Sequence, residues 1–161
     1  MRRVIVNSTP IIVLSNIYRL DILKALYGQI IIPQAVYNEV TAKSDSACYQ
    51  IKKQSDWIIV EKVLNAEQKR MYQAKLHAGE VEVMILAQQN PKADLVILDD
   101  NTAKKTAKFL GLTVTGTLGV LLKAKKDGVI ESVSLIIDEL LSNGFYVTDE
   151  VRRMVLDSAG E

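Results

Sequence analysis

Short unbroken apolar runs alternate along the chain with stretches in which apolar residues recur every three or four positions, a pattern that predicts strands alternating with helices. Residues 4–6 (Val-Ile-Val) and 30–32 (Ile-Ile-Ile) are apolar at every position, as expected of strands covered on both faces. After the first strand, Ser8 or Thr9 can cap a helix with Pro10 at its first position. Leu20, Leu23, Ala25 and Leu26 keep a helical spacing that ends at Gly28, and Pro33 opens the helix that carries Glu39. Residues 41–56 are polar and read as helical in part, and residues 57–60, beginning at Trp57, read as a strand suited to a sheet edge. Asn65 with Gln68 three places on resembles a capping box, for a helix running to about Leu76.

Helix, strand and helix follow from Gly79 to Leu110, with the strand at 94–98, and residues 112–114 supply one more strand. Beyond Thr117 the pattern is helical to residue 161, punctuated at Gly128 and Gly144 and with an N-cap at Thr148. The fold class this implies is α/β, with a central parallel sheet of about four to five strands between helical layers and a helical C-terminal segment. Length supports a single domain over residues 1–161, and there is neither an internal repeat nor a low-complexity tract.

Polar residues gather at the strand-to-helix junctions of this scheme. Asn7 closes the first strand; Asp99 and Asp100 close the strand before Asn101; Glu80 and Glu82 stand in the first turn of a helix; Glu39 lies on the helix after the second strand. In an open parallel sheet, ligands bind beyond the carboxyl ends of the strands at the point where strand order reverses, so this is the expected active edge. Carboxylates crowded there repel one another unless a cation is present, and oxygen ligands suit Mg²⁺ or Mn²⁺. Such an arrangement serves phosphodiester hydrolysis. Each residue also has a plain structural reading. Asp99 and Asp100 could form a turn and helix cap, Glu80 and Glu82 could answer the helix dipole, and Glu39 could belong to a solvated face.

Composition removes several alternatives. Twenty basic residues against nineteen acidic ones leave a net charge of +1, so any nucleic-acid contact must come from a local patch. A single cysteine (Cys48) and a single histidine (His77) exclude a disulfide framework and a structural zinc site, and they fit a reducing cytoplasm. No apolar run is long enough to cross a membrane, and the N-terminal run breaks at Asn7-Ser8-Thr9-Pro10, unlike a secretion signal. Lys104, Lys105 and Lys108 on one helix, and Lys123, Lys125 and Lys126 on the next, could flank a phosphate backbone, although solvated faces explain such lysines more often. Thr115-Gly116-Thr117, between a strand and a helix, offers backbone amides to a phosphate oxygen.

The runs Val-Ile-Val-Asn-Ser-Thr-Pro from Val4, Ile-Ile-Pro-Gln-Ala-Val-Tyr-Asn-Glu-Val from Ile31, Gly-Glu-Val-Glu from Gly79, Ile-Leu-Asp-Asp from Ile97 and Gly-Thr-Leu-Gly from Gly116 together resemble a PIN domain. More narrowly they resemble a prokaryotic branch of unknown function related to the VapC-type toxins of toxin–antitoxin pairs. The resemblance covers nearly the whole chain. It implies a three-layer α/β/α fold and a Mg²⁺- or Mn²⁺-dependent endoribonuclease, with RNA as substrate, a small antitoxin protein as partner and a homodimer as assembly. The family's acidic positions fall on Asn7, Glu39, Glu82 or Glu80, and Asp100 with Asp99 beside it. The eighteen-residue interval from Glu82 to Asp100 favours those two, so Glu39, Glu82 and Asp100 are the implied catalytic residues. Thr9 matches the hydroxyl that supports the first acidic residue, and Lys104, Thr115 and Thr117 are the candidates for substrate binding.

One departure divides the functional expectation. Asn7 stands where the family has an aspartate; its amide keeps a carbonyl oxygen for a metal but removes a charge and adds a donor. The chain is therefore expected to be either a ribonuclease that tolerates asparagine or a non-catalytic PIN-fold module that binds nucleic acid or a partner. A phospho-accepting receiver domain fits less well, since Asn7 and Thr115 stand where a receiver needs an acidic pair and a lysine.

Overall fold

The computed structural model describes residues 2–73, 76–92 and 94–161. Five parallel strands form one sheet in the order β3-β2-β1-β4-β5, where β1 is Val4–Val6, β2 Ile30–Pro33, β3 Ile58–Glu61, β4 Leu95–Ile97 and β5 Thr113–Thr115. Every residue of β1, β2 and β4 is buried. Side chains of a strand alternate between faces, so complete burial means that both faces are covered, as the three-layer α/β/α expectation requires. The mixed sequences of β3 and β5 lie at the two edges, where half-exposed positions are tolerated.

Ten helices connect and extend these strands among the described residues: α1 (Ser8–Asn16), α2 (Asp21–Tyr27), α3 (Gln34–Val40), α4 (Ser46–Lys53), α5 (Ala66–Gln73), α6 (Ala78–Gln88), α7 (Asn101–Phe109), α8 (Thr117–Lys126), α9 (Val133–Ser142) and α10 (Asp149–Ser158). Helix α6, buried at nine of its positions, lies against β1, β2 and β4 and beside α3. None of the helices is long and apolar enough to cross a membrane, among the described residues.

Several boundaries differ from the sequence reading for local reasons. Helix α1 begins at Ser8 with Asn7 in extended conformation as its cap, which places Pro10 third and not first. A proline there still loses nothing, because the first-turn N–H groups have no partner within the helix. Pro33 ends β2 and precedes α3, its φ of −64° serving an extended residue. Strand β3 starts one residue after Trp57, whose ring is buried with its indole N–H donating to Gln54 Oε1 at 2.9 Å. Strand β4 is shorter than residues 94–98, and β5 is shifted by one from 112–114. Asn65 does cap α5, its Oδ1 accepting the Gln68 N–H at 3.0 Å; the predicted end of that helix includes Ala74 and Lys75, which lie outside the described residues. Thr148 caps α10 as expected, and Gly28, Gly128 and Gly144 take positive φ at the ends of helices.

The C-terminal helices divide their apolar residues between core and surface. Ile136, Leu140 and Val155 are buried, while Leu135, Val151 and Met154 are exposed. The carboxylate of Glu161 folds back to accept from Lys125 Nζ (2.9 Å), Ser132 Oγ (2.9 Å) and the N–H groups of Val133 (2.8 Å) and Ser134 (3.2 Å). The Lys125 ammonium and those backbone donors hold its pKa down to about 2.

At the amino end of the central strands, Arg3 binds Asp94 through Nε (3.1 Å) and Nη2 (2.8 Å), the Leu86 carbonyl (3.0 Å) and Glu61 (3.4 Å). Asp94 is only 1 % exposed, so this fork joins the starts of β1 and β4 to the end of α6 around a buried charge.

Candidate functional site

Register places the polar junctions side by side at the opposite edge of the sheet. Val6 pairs with Ile97 and Ile97 with Thr115. The Asn7 N–H continues the ladder to the Ile97 carbonyl (2.9 Å), and the Leu98 N–H to the Thr115 carbonyl (2.9 Å). Strand order reverses between β1 and β4, so the residues after these strands line the crevice where such sheets bind ligands.

Two groups of side chains occupy this edge. The first centres on Gly79. Glu39 Oε2 accepts from Ser8 Oγ at 2.8 Å, and a methyl group placed on Gly79 would lie 3.2 Å from Glu39 Oε2 and 3.4 Å from Asn7 Oδ1. Asn7 is buried and Glu39 exposed, so two oxygens from different segments lie over the bare Cα of the buried Gly79. The second group is built by the β4–α7 and β5–α8 junctions. Asp99 accepts the Thr117 N–H (2.8 Å) and hydroxyl (2.6 Å), and both Lys104 Nζ and Asp99 Oδ1 crowd the open side of Gly116, within 2.7 and 2.8 Å of where a Cβ would stand.

The remaining acidic residues already have partners at helix ends. Glu82 Oε1 accepts the Ala35 N–H in the first turn of α3 (3.0 Å), and its Oε2 pairs with Lys69 (3.3 Å). Glu80 Oε1 accepts the His77 N–H at the start of α6 (3.0 Å). Asp100 caps α7 by accepting the Ala103 N–H (2.9 Å), its side chain otherwise facing solvent. Each contact answers an unsatisfied N–H and the positive end of a helix dipole. No three Asp, Glu, His or Cys side chains among the described residues are positioned to share an ion.

The donor set nonetheless fits a hard divalent cation in a modest way. Asn7 Oδ1 and Glu39 Oε2 converge on the Gly79 cradle, and Mg²⁺ characteristically takes one or two protein oxygens and keeps several waters. Glu82 lies one turn along α6 from Gly79, and the residue it holds, Ala35, lies one turn along α3 from Glu39. Its present contact therefore fixes the helix that carries Glu39.

Among the candidates for substrate contact, Lys104 and Thr117 stand together beside Asp99, and Thr115 lies on the far side of the same turn, its hydroxyl over Gly119. Thr9 is exposed; the hydroxyl that reaches the acidic group belongs to Ser8. Ser8 and Gly79 were hidden in the sequence by plainer readings, the first as a helix cap and the second as part of a motif. Lys123 and Lys125 are engaged with Asp127 and Glu161, which leaves α7 as the better source of positive charge.

A doubly wound α/β domain with an amide, carboxylates and a lysine at its switch point is the class of protein that fold and site define. A family model described as a PIN domain matches residues 3–161, and the chain belongs to that family. No curated protein and no solved structure matches it.

Proposed function

We propose that this PIN domain is a Mg²⁺- or Mn²⁺-dependent endoribonuclease whose ion is held by Asn7 and Glu39, with Asp100 completing the site from the neighbouring strand. The observation that carries this is the convergence of Asn7 Oδ1 and Glu39 Oε2 over Gly79 at the switch point of the sheet. The ion would activate a water for attack on the phosphodiester and stabilise the leaving oxygen. Ser8 orients the Glu39 carboxylate through its hydroxyl, and Glu82 anchors α3 beneath it. Glu82 and Asp99 reach an ion only by exchanging the partners they now hold, whereas Glu80 and Asp100 each engage a single carboxylate oxygen among the described residues. Membership of the family supports RNA as the substrate. A small antitoxin-like protein or a second copy of the chain would cover the exposed Leu135, Val151 and Met154, as expected of a VapC-type toxin.

Cleavage of labelled single-stranded RNA tests this reading. The native chain is expected to cut with Mn²⁺ and not with EDTA, and Glu39→Gln to lose at least a hundredfold in rate, a scale that exceeds what removal of a group merely supporting a ligand costs. Equal cutting by Glu39→Gln would contradict the assignment.

Gly79→Ala separates site from scaffold. Alanine gains helix propensity of up to about 1 kcal/mol over glycine, which opposes the 3.2 Å contact with the buried Val36. Stability should change by no more than about 1 kcal/mol, whereas displacement of Glu39 and Asn7 should weaken Mn²⁺ binding roughly tenfold. Calorimetric titration with Mn²⁺ beside a thermal melt reads both.

A second reading has its own support. The chain would be a binding module without turnover, favoured by the pairing of Glu82, Asp99 and Asp100 with protein donors and by the missing charge at Asn7.

A further inference from the structure

We propose that the cleft between the β4–α7 junction and the α9–α10 loop is a single-nucleotide subsite, in which a base of single-stranded RNA stacks on Tyr146 while the adjoining phosphate meets Lys104. The inference rests on the ribonuclease reading for its choice of ligand. The cleft, of about 260 Å³, is lined by Asp99, Asn101, Lys104, Gly116, Phe145 and Tyr146 among others. It falls below the ~300–1,000 Å³ typical of clefts that enclose a drug-sized ligand, which suits one planar group better than a long chain.

Two neighbouring aromatics do different work there. Gly144 turns the chain at φ +93°, and the Phe145 N–H returns to the Leu140 carbonyl at 3.0 Å. Phe145 then packs half-buried against the core, which fixes the next residue in place. Tyr146 is 81 % exposed. A single exposed aromatic needs no explanation in general. This one stands at the mouth of a polar cleft with a lysine and a side-chain amide, the combination that single-stranded nucleic acid uses: a ring for the base, a cation for the backbone, a donor and acceptor for the base edge.

Charge selects between ligands. Lys104 Nζ occupies the space left by the absent side chain of Gly116, and among the described residues it joins no ion pair. Asp99 brings a negative charge to the same wall, but both of its oxygens are held by Thr117. A mixed wall of this kind disfavours a bare polyanion and favours a base with one flanking phosphate. Because Asp99 adjoins Asp100, a nucleotide seated here lies next to the proposed cleavage site, and the subsite would select which nucleotide flanks the cut.

The test uses a short single-stranded RNA carrying 2-aminopurine, titrated in EDTA so that no turnover contributes. Stacking should quench the probe with the native chain and with Tyr146→Trp. Tyr146→Ala should bind about tenfold more weakly, within the range for loss of one stacked base, and should leave the probe bright at saturation. Lys104→Ala should weaken binding and flatten its salt dependence while keeping the quench. Absence of quenching by the native chain, or unchanged affinity and quench in Tyr146→Ala, overturns the subsite. Quenching by the native chain with no cleavage in Mn²⁺ sustains the subsite and removes the nuclease reading alone. Since Tyr146 is exposed, its variants should fold as the native chain does.

Discussion

Asn7→Asp is expected to bind Mn²⁺ at least tenfold more tightly than the native chain and to cut RNA faster at limiting metal. The Asn7 side chain is buried and its oxygen already faces the Gly79 cradle that Glu39 shares, so the substitution adds a charge without a new geometry. Two unit charges about 4 Å apart interact by about 4 kcal/mol at an effective dielectric of about 20. The new carboxylate gains two such terms from a divalent ion and loses one through repulsion by Glu39, before the cost of desolvating a buried anion reduces the balance. Without metal only the repulsion and the desolvation remain. The variant should therefore melt below the native chain in EDTA and be raised more by saturating Mn²⁺. Parallel melts with and without the ion check this, and an Asn7→Asp variant indifferent to Mn²⁺ would show that the cradle holds no cation.

Loss of Arg3 should be among the most damaging changes to stability. Asp94 is almost wholly buried and takes its charged partner from Arg3, and the same guanidinium also closes on the Leu86 carbonyl. Hydrogen bonding to Asp94 in turn holds the Arg3 pKa above its usual range. Removing one member of a buried pair leaves an uncompensated charge at a cost of about 3–5 kcal/mol, whereas replacing both by apolar groups can be nearly neutral. Arg3→Met is thus expected to lower unfolding stability by about 3 kcal/mol, and the double variant Arg3→Met, Asp94→Leu to recover most of it. The converse change should be milder, because the partly exposed Arg3 can turn to solvent where Asp94 cannot. Denaturant titration of the single and double variants measures all three, and equal losses for Arg3→Met and the double variant would contradict the account.

The pattern of apolar runs carried most of the fold. Val4–Val6 and the three isoleucines before Pro33 read as strands covered on both faces, and the mixed composition of β3 marked it for an edge, whereas the edge position of β5 came only with the packed sheet. Prolines shifted the boundaries, since Pro10 and Pro33 tolerate more than one position near a helix start. At the site, strand ends located Asn7, Asp99 and Asp100, because a polar residue that closes a buried strand must lie at the sheet edge. What each carboxylate touches was not legible. Glu82 meets Ala35 only because α3 and α6 lie side by side, and that is a property of the packed molecule. Tyr146 gave no signal either, standing in a loop without periodicity, and its place beside Lys104 depends on how α9 returns to the sheet.

The activity proposed for this edge of the sheet is hydrolysis of RNA with a divalent ion. Its most direct test is single-turnover cleavage of a labelled single-stranded RNA panel in Mn²⁺ and Mg²⁺ by the native chain, Asn7→Asp and Asp100→Ala. The account predicts metal-dependent cutting by the native chain, faster cutting by Asn7→Asp and none by Asp100→Ala. Cutting by Asn7→Asp alone, or no cutting by any of the three, would contradict it and leave a PIN fold that binds without catalysis.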